Sequence, residues 1–301
     1  MKRDFLALAQ VSSEHIFNLL QRAKFMEEAI SGENKTLDIL KGKSMVTLFY
    51  ENSTRTRCSF ELAGKYLGAQ TVGITTSGSS VKKGESLIDT AVTLDKMQAD
   101  VIVIRHSVAG APALIAQHVK ASVINGGDGL HAHPTQALLD MYTMQKTFGS
   151  LKGLEVAIIG DVKHSRVAQS NIVGLSKMGA KVKVFAPNTL MPKGIENQPC
   201  KVCKNAREAF EGSDVIMGLR IQLERQQKGL FPSVEEYSRF YGVNMERMAL
   251  CNKGAIVMHP GPANRGIEID CDVLDSDMCL KDEQVTSGVA TRMALLEWCV
   301  R

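Results

Sequence analysis

The chain has 301 residues, 44% of them hydrophobic and 23% charged, with a net charge of +4 and a pI near 8.6. That length accommodates two domains of ordinary size, and that composition excludes a disordered chain. No Lys/Arg block is interleaved with aromatics, so the mild positive charge favours small anionic substrates over nucleic acid.

The start, Met1-Lys2-Arg3-Asp4 followed by Phe5-Leu6-Ala7-Leu8-Ala9, imitates a signal peptide only briefly. Asp4 stands in the basic region and Gln10-Val11-Ser12-Ser13-Glu14 cuts the apolar core short, so it reads as an ordinary helix entry. No apolar run reaches the length of a membrane span. Strand-like runs fall at 45–50, 71–75, 101–104 and 122–125, and again at 155–159, 181–185, 215–219 and 255–258. Helical patterns such as 87–97 and 166–178 separate them, and this alternation predicts an α/β fold of two doubly wound parallel sheets. A connecting helix opens at His133-Pro134-Thr135-Gln136, with Pro134 in its first turn and Gly149 at its end. A last helix, 287–300, carries Val289, Met293, Leu296 and Val300 on one stripe and is expected to fold back across both domains.

Polar residues cluster where strands end, the place where ligands bind in such sheets. Ser53-Thr54-Arg55-Thr56-Arg57 follows the first strand, and Phe60, Ala63, Gly64 and Leu67 then recur at helical spacing. Ser53 is therefore expected to cap a helix whose first N–H groups, with three hydroxyls and a guanidinium, suit a phosphate dianion. Ser79-Ser80-Val81-Lys82-Lys83-Gly84-Glu85 is a polar loop with two lysines, Arg105-His106 ends the third run, and His133 and Gln136 share one helix face. Gly160-Asp161-Val162-Lys163-His164-Ser165-Arg166 sits where a dinucleotide fold would show G-x-G-x-x-G, but Val162 and Ser165 break that pattern. Gly218-Leu219-Arg220-Ile221-Gln222 and His259-Pro260-Gly261-Pro262 end two later strands. Together these residues suggest two anionic substrates held across a cleft, without a nucleophilic triad.

Seven scattered cysteines point to reduced thiols and a cytoplasmic location. Cys200-x-x-Cys203 has no second pair at ligand spacing, and neither His131 nor His133 lies in a carboxylate- or cysteine-rich neighbourhood, so no metal is expected.

Six segments carry a family resemblance: Phe49-Tyr50-Glu51-Asn52-Ser53-Thr54-Arg55-Thr56-Arg57, Lys82-Lys83-Gly84-Glu85, Val103-Ile104-Arg105-His106, His133-Pro134-Thr135-Gln136, Arg220-x-Gln222-x-Glu224-Arg225 and His259-Pro260-Gly261-Pro262. Over essentially its whole length the chain resembles the aspartate/ornithine carbamoyltransferase family. Ornithine-using members typically have His-Pro-Cys-Gln and His-Cys-Leu-Pro in place of residues 133–136 and 259–262, and lack the lysine loop, so the resemblance is to the aspartate-using side. Some members have Pro-Leu-Pro where this chain has Pro260-Gly261-Pro262.

The resemblance implies a carbamoyl phosphate-binding domain at 1–132 plus 286–301 and an aspartate-binding domain at 133–285, with 133–149 as the connecting helix. It implies transfer of the carbamoyl group of carbamoyl phosphate to aspartate, a step of pyrimidine biosynthesis, with no cofactor. Ser53, Thr54, Arg55 and Thr56 would hold the phosphate, while Thr56, Arg105 and His133 would stabilise the oxyanion. Gln136 and the Pro260 carbonyl would orient the carbamoyl NH2, with Gly261 and Pro262 completing that turn. Arg166, Arg220 and Gln222 would clamp the aspartate carboxylates, and Glu51 would pair with Arg166 and Arg225 on domain closure. Ser79 and the catalytic Lys83 would come from a neighbouring subunit, which implies a homotrimer. Regulatory chains or a dihydroorotase as further partners stay open, as do ornithine or another amine as acceptor, a dehydrogenase, and a catalytically silent anion-binding chain.

Overall fold

The computed structural model describes residues 2–75, 84–221 and 233–300. Contacts divide the chain into two compact units, Met1–Tyr142 with Val285–Arg301 and Thr143–Gln284.

The first unit begins with α1 (Ser13–Ser31), whose Ser12 cap accepts the His15 N–H and whose Ile16, Leu19, Leu20, Ala23 and Met26 form the buried stripe. The segment before it leads into the helix through a 3-10 turn at Leu8–Gln10, as the sequence suggests, but begins as extended chain. Phe5 is fully buried and exchanges backbone bonds with Val123 and Asn125, lying beside the sheet as an extra bridge. Next come β1 (Ser44–Phe49), α2 (Thr54–Tyr66), β2 (Gln70–Thr75), α3 (Leu87–Lys96), β3 (Val101–His106), α4 (Ala111–Ala116) and β4 (Ser122–Asp128). The sheet order is β2-β1-β3-β4, all parallel. β1, β3 and β4 are buried on both faces through most of their length, and β1 and β3 accordingly read as largely apolar runs, whereas edge strand β2 stays largely exposed. Phe60, Ala63, Gly64 and Leu67 are buried as their spacing predicts.

α5 (Pro134–Phe148) runs from the first unit into the second. There follow β5 (Glu155–Ile159), α6 (Arg166–Lys177), β6 (Lys181–Phe185), β7 (Lys201–Val202), α7 (Ala206–Phe210), β8 (Val215–Gly218), α8 (Val234–Tyr241), α9 (Met245–Met248), β9 (Ile256–Met258) and α10 (Cys271–Leu274). The second sheet is also parallel, in the order β7-β6-β5-β8-β9. Its core includes Ala157, Ile159, Phe210, Ile216, Val257 and Ile269. β7 has no counterpart in the sequence reading, because its two residues are exposed and carry no apolar run.

α11 (Lys281–Val300) ends within the first unit. Its burial is wider than the stripe of Val289, Met293, Leu296 and Val300. Every residue from 291 to 297 is buried, Arg292 and Glu297 included. Glu297 meets Arg22 of α1 through a two-point ion pair at 2.6 and 3.2 Å. None of the described helices is long and apolar enough to cross a membrane, and all seven cysteines are unpaired.

Candidate active site

In each sheet the strand order reverses at one point, the position where open α/β sheets bind ligands. In the first unit that point lies between β1 and β3. The chain leaving β1 turns through Glu51 to Ser53 into α2, and Arg105 stands opposite Phe49 in the register of β3. Ser53 occupies the N-cap position of α2 as the sequence indicates, with extended backbone, but its side chain makes no capping bond. Thr56 is buried, Ser53 half-buried, and Thr54 and Arg55 exposed. Arg57 turns to Glu61 one helical turn on, at 3.6 Å.

Arg105 is held from three sides. Its Nε lies 3.4 Å from Glu51 Oε2, and its Nη1 lies 3.4 Å from the Gly126 carbonyl and 3.5 Å from His133 Nε2. The β3–β4 register shifts here: between the pairs Ile104–Asn125 and His106–Asp128, β4 has one residue more than β3. Such bulges re-aim a strand-end side chain, and Gly126 sits in this one. The Glu51–Arg105 pair was absent from the sequence reading, which gave Glu51 other partners.

His133 is buried at the entrance to α5, where its carbonyl accepts the Gln136 and Ala137 N–H groups. The two histidines of His131-Ala132-His133 diverge. His131 Nδ1 goes to Asp128 at 3.0 Å, whereas His133 has Thr135 Oγ1 at 3.4 Å from Nδ1 and Arg105 at Nε2. Gln136 donates from Nε2 to Asp140 Oδ1 at 2.9 Å. One unit therefore brings together the hydroxyl-rich helix start, Arg105, His133 and Gln136. That set can hold a phosphate and supply donors to a developing oxyanion.

In the second unit the reversal lies between β5 and β8. After β5, Gly160 takes φ +120°, and a Cβ there would lie 3.1 Å from the Leu219 carbonyl and 2.9 Å from Tyr237 Oη. Only glycine lets the two strand ends approach this closely. Asp161 accepts the backbone N–H and side chain of His164, shaping the loop into α6. Ser165 caps that helix by accepting the Ala168 N–H, and Arg166 follows as a buried first-turn residue.

Arg220 follows β8 and is half-buried. The next residue is tied to the turn after β9 through Glu268, a carboxylate only 2% exposed. Glu268 accepts the Ile221 N–H at 2.8 Å, the Asn264 N–H at 2.9 Å and the Asn264 amide at 2.8 Å. Burial pushes the Glu268 carboxyl above its ordinary value, and these hydrogen bonds pull the other way. In the turn itself, His259 Nδ1 accepts the Gly261 N–H at 2.8 Å, Gly261 has φ +66°, and the Gly261-Pro262 bond is cis. Pro260 and Gly261 are half-buried and Pro262 exposed. Ser79, Lys83, Gln222 and Arg225 lie outside the described residues.

Asp140, Glu268 and Asn264, which tie the site segments together, gave no signal in the sequence reading. Single polar residues at these positions resemble many solvated ones.

Comparison with known proteins identifies the family. The model of the aspartate/ornithine carbamoyltransferase carbamoyl-P binding domain matches residues 3–146, and that of the Asp/Orn binding domain matches residues 152–299. The aspartate carbamoyltransferase catalytic subunit of Ruminiclostridium cellulolyticum is 57% identical over 98% of this chain and 94% of its own length. That of Moorella thermoacetica is 57% identical over 98% and 96%. Among solved structures, aspartate transcarbamoylase from Trypanosoma cruzi in complex with carbamoyl aspartate and phosphate is similar, with a TM-score of 0.87 and 32% identity over 98% of this chain and 95% of that one. Ornithine carbamoyltransferase from Pyrococcus furiosus has the same TM-score of 0.87 at 28% identity, over 98% and 96%. The chain belongs to the aspartate/ornithine carbamoyltransferase family.

Proposed function

We propose that the chain transfers the carbamoyl group of carbamoyl phosphate to the amine of L-aspartate, giving N-carbamoyl-L-aspartate and phosphate, a step of pyrimidine biosynthesis. The observation that carries this reading is the meeting of Arg105 with His133 and Glu51 at the switch point of the first sheet, beside the hydroxyl-rich start of α2. The backbone fold does not separate aspartate from ornithine as acceptor, since relatives of both kinds superpose equally well. Identity of 57% to catalytic subunits named for aspartate favours aspartate.

In this reading Ser53, Thr54, Arg55 and Thr56 bind the phosphate of the donor, and Arg105 reaches both phosphate and carbonyl oxygen. The aspartate amine attacks the carbonyl carbon, and the oxygen gains charge as the tetrahedral intermediate forms. Thr56, Arg105 and His133 donate to that oxygen, where one such donor is worth about 10²–10³ in rate. The carbon–oxygen bond to phosphate then breaks, and the departing phosphate takes the amine proton. Gln136 and the Pro260 carbonyl receive the carbamoyl N–H groups. Arg166 and Arg220, with Gln222, hold the two carboxylates of aspartate, and holding the amine at attack distance supplies much of the acceleration. Glu51 changes partner on closure, from Arg105 toward Arg166 and Arg225. Ser79 and Lys83 come from a second copy in a cytoplasmic homotrimer. Met1–Tyr142 with Val285–Arg301 act as the donor-binding domain and Thr143–Gln284 as the acceptor-binding domain, which moves the boundary expected at residue 133 ten residues along α5, because the start of that helix packs with the first unit.

The test is an assay of the purified chain with carbamoyl phosphate and either aspartate or ornithine, together with its native mass. Carbamoyl aspartate should form, ornithine should be left unmodified, and the particle should weigh three times 32.8 kDa. Preferential carbamoylation of ornithine would overturn the acceptor assignment, and an active monomer would overturn the shared site.

A further inference from the structure

We propose that Asp140 is a positioning residue that makes the site read the NH2 group of its donor: it fixes the side-chain amide of Gln136 so that the carbonyl oxygen is the end left to accept from substrate. The inference rests on the carbamoyl-transfer reading above and assigns the residue that sets its donor specificity.

Gln136 lies on the face of α5 that carries His133, and its Nε2 donates to Asp140 Oδ1 at 2.9 Å, one helical turn on. Both side chains are buried, Gln136 at 8% and Asp140 at 0% exposure. An ionised carboxylate has acceptors only, whereas an amide has a donor end and an acceptor end. Rotating the amide by half a turn would press two acceptors together away from water, so one orientation prevails.

The charge of Asp140 is balanced by Arg292, which reaches in from α11. Arg292 is 4% exposed, and its guanidinium lies 5.1 Å over the Phe60 ring. Burial pulls its pKa down to about 10 while the attraction of Asp140 opposes that pull, so it remains a cation at neutral pH. Gly288, one turn earlier on α11, makes room for it: a Cβ there would lie 2.6 Å from Arg292 Nη1. A buried cation, a buried carboxylate and an amide thus form a relay that ends in one acceptor, the Gln136 side-chain carbonyl. A donor with NH2 on its carbonyl carbon satisfies that acceptor. A methyl group of similar size leaves it without a bond, and sites built to bond a polar group reject the analogue lacking it.

Acetyl phosphate, with methyl in place of NH2, is the probe. On the full chain, kcat/KM for carbamoyl phosphate and Ki for acetyl phosphate are measured in the wild type, Gln136→Ala, Asp140→Asn and the double variant. Asn presents a donor as well as an acceptor, so the Gln136 amide loses its single orientation. Asp140→Asn should lower kcat/KM for carbamoyl phosphate about 10- to 100-fold and leave the acetyl phosphate Ki within about twofold. On the Gln136→Ala background the same change should have no further effect. Equal losses toward both compounds, or the same loss on top of Gln136→Ala, would overturn the proposal, because a merely structural role gives that pattern. If Asp140→Asn does not fold, the cycle is run with Asp140→Asn combined with Arg292→Met, which removes both buried charges together. A wild type that does not carbamoylate aspartate would sink the underlying reading, whereas an active wild type with an additive cycle sinks only the role of Asp140.

Discussion

Replacing Arg105 is the most direct perturbation of the first unit. Its guanidinium carries a full charge and reaches Glu51, the Gly126 carbonyl and His133 at 3.4–3.5 Å. A unit charge about 4 Å from a ligand anion is worth about 4 kcal/mol at an effective dielectric near 20, roughly three orders of magnitude in affinity. A donor to the developing oxyanion adds about 10²–10³ in rate. These two contributions come from one group and overlap, so Arg105→Ala should lower kcat/KM by about 10⁴. Arg105→Lys keeps the charge but loses the planar fork that serves several acceptors at once, and should lose about 10²–10³. The alanine variant also strips Glu51 of a partner where both side chains are only 14% exposed, which costs about 1–3 kcal/mol of stability. Initial rates with carbamoyl phosphate and aspartate, measured beside urea unfolding of the same preparations, separate the two losses. An alanine variant within tenfold of the wild type, or a lysine variant no better than alanine, would refute the reasoning.

Glu268 makes stability depend on pH. Burial raises its folded-state pKa above the ordinary 4.5, so in the window above 4.5 the folded chain binds more protons than the unfolded one and stability falls as pH rises. Glu268→Gln should remove that component, so the wild-type minus variant difference in urea midpoint should decline from about pH 4.5 upward; a difference that grows with pH would contradict the assignment. Gly288→Ala should cost about 1–3 kcal/mol by overpacking, partly offset by about 1 kcal/mol of helix preference. Its new methyl would lie 2.6 Å from Arg292 Nη1 and 3.3 Å from Leu139 Cδ2, and the buried Arg292 cannot swing out to water. A urea midpoint at or above the wild-type value would show that the neighbours yield.

Strands such as β1 and β3 were legible because burial on both faces demands unbroken apolar runs. The residues at their ends were legible because arginine, threonine and histidine at a switch point carry chemistry that packing does not require. Other parts left no mark. Phe5 enters the first sheet through a single bridge, too short for any alternation, and Lys201–Val202 is exposed. Ser53 takes the N-cap position that the sequence indicated but makes no side-chain capping bond, because a residue can adopt the cap backbone without turning its hydroxyl inward. The apolar stripe of α11 gave no sign that Arg292 and Glu297 are buried. Their partners Asp140 and Arg22 stand far away in sequence, and a one-dimensional pattern cannot register such pairing.

Because α11 completes the first unit, that unit is assembled from segments on either side of the second, which is written in one uninterrupted stretch. On the ribosome β1–β4 emerge before α11, so Arg22 and Asp140 wait for their counter-charges until the whole second unit has been made. The half proposed to hold the phosphate therefore matures after the other, and removing α11 would damage the earlier-made sheet before the later-made one.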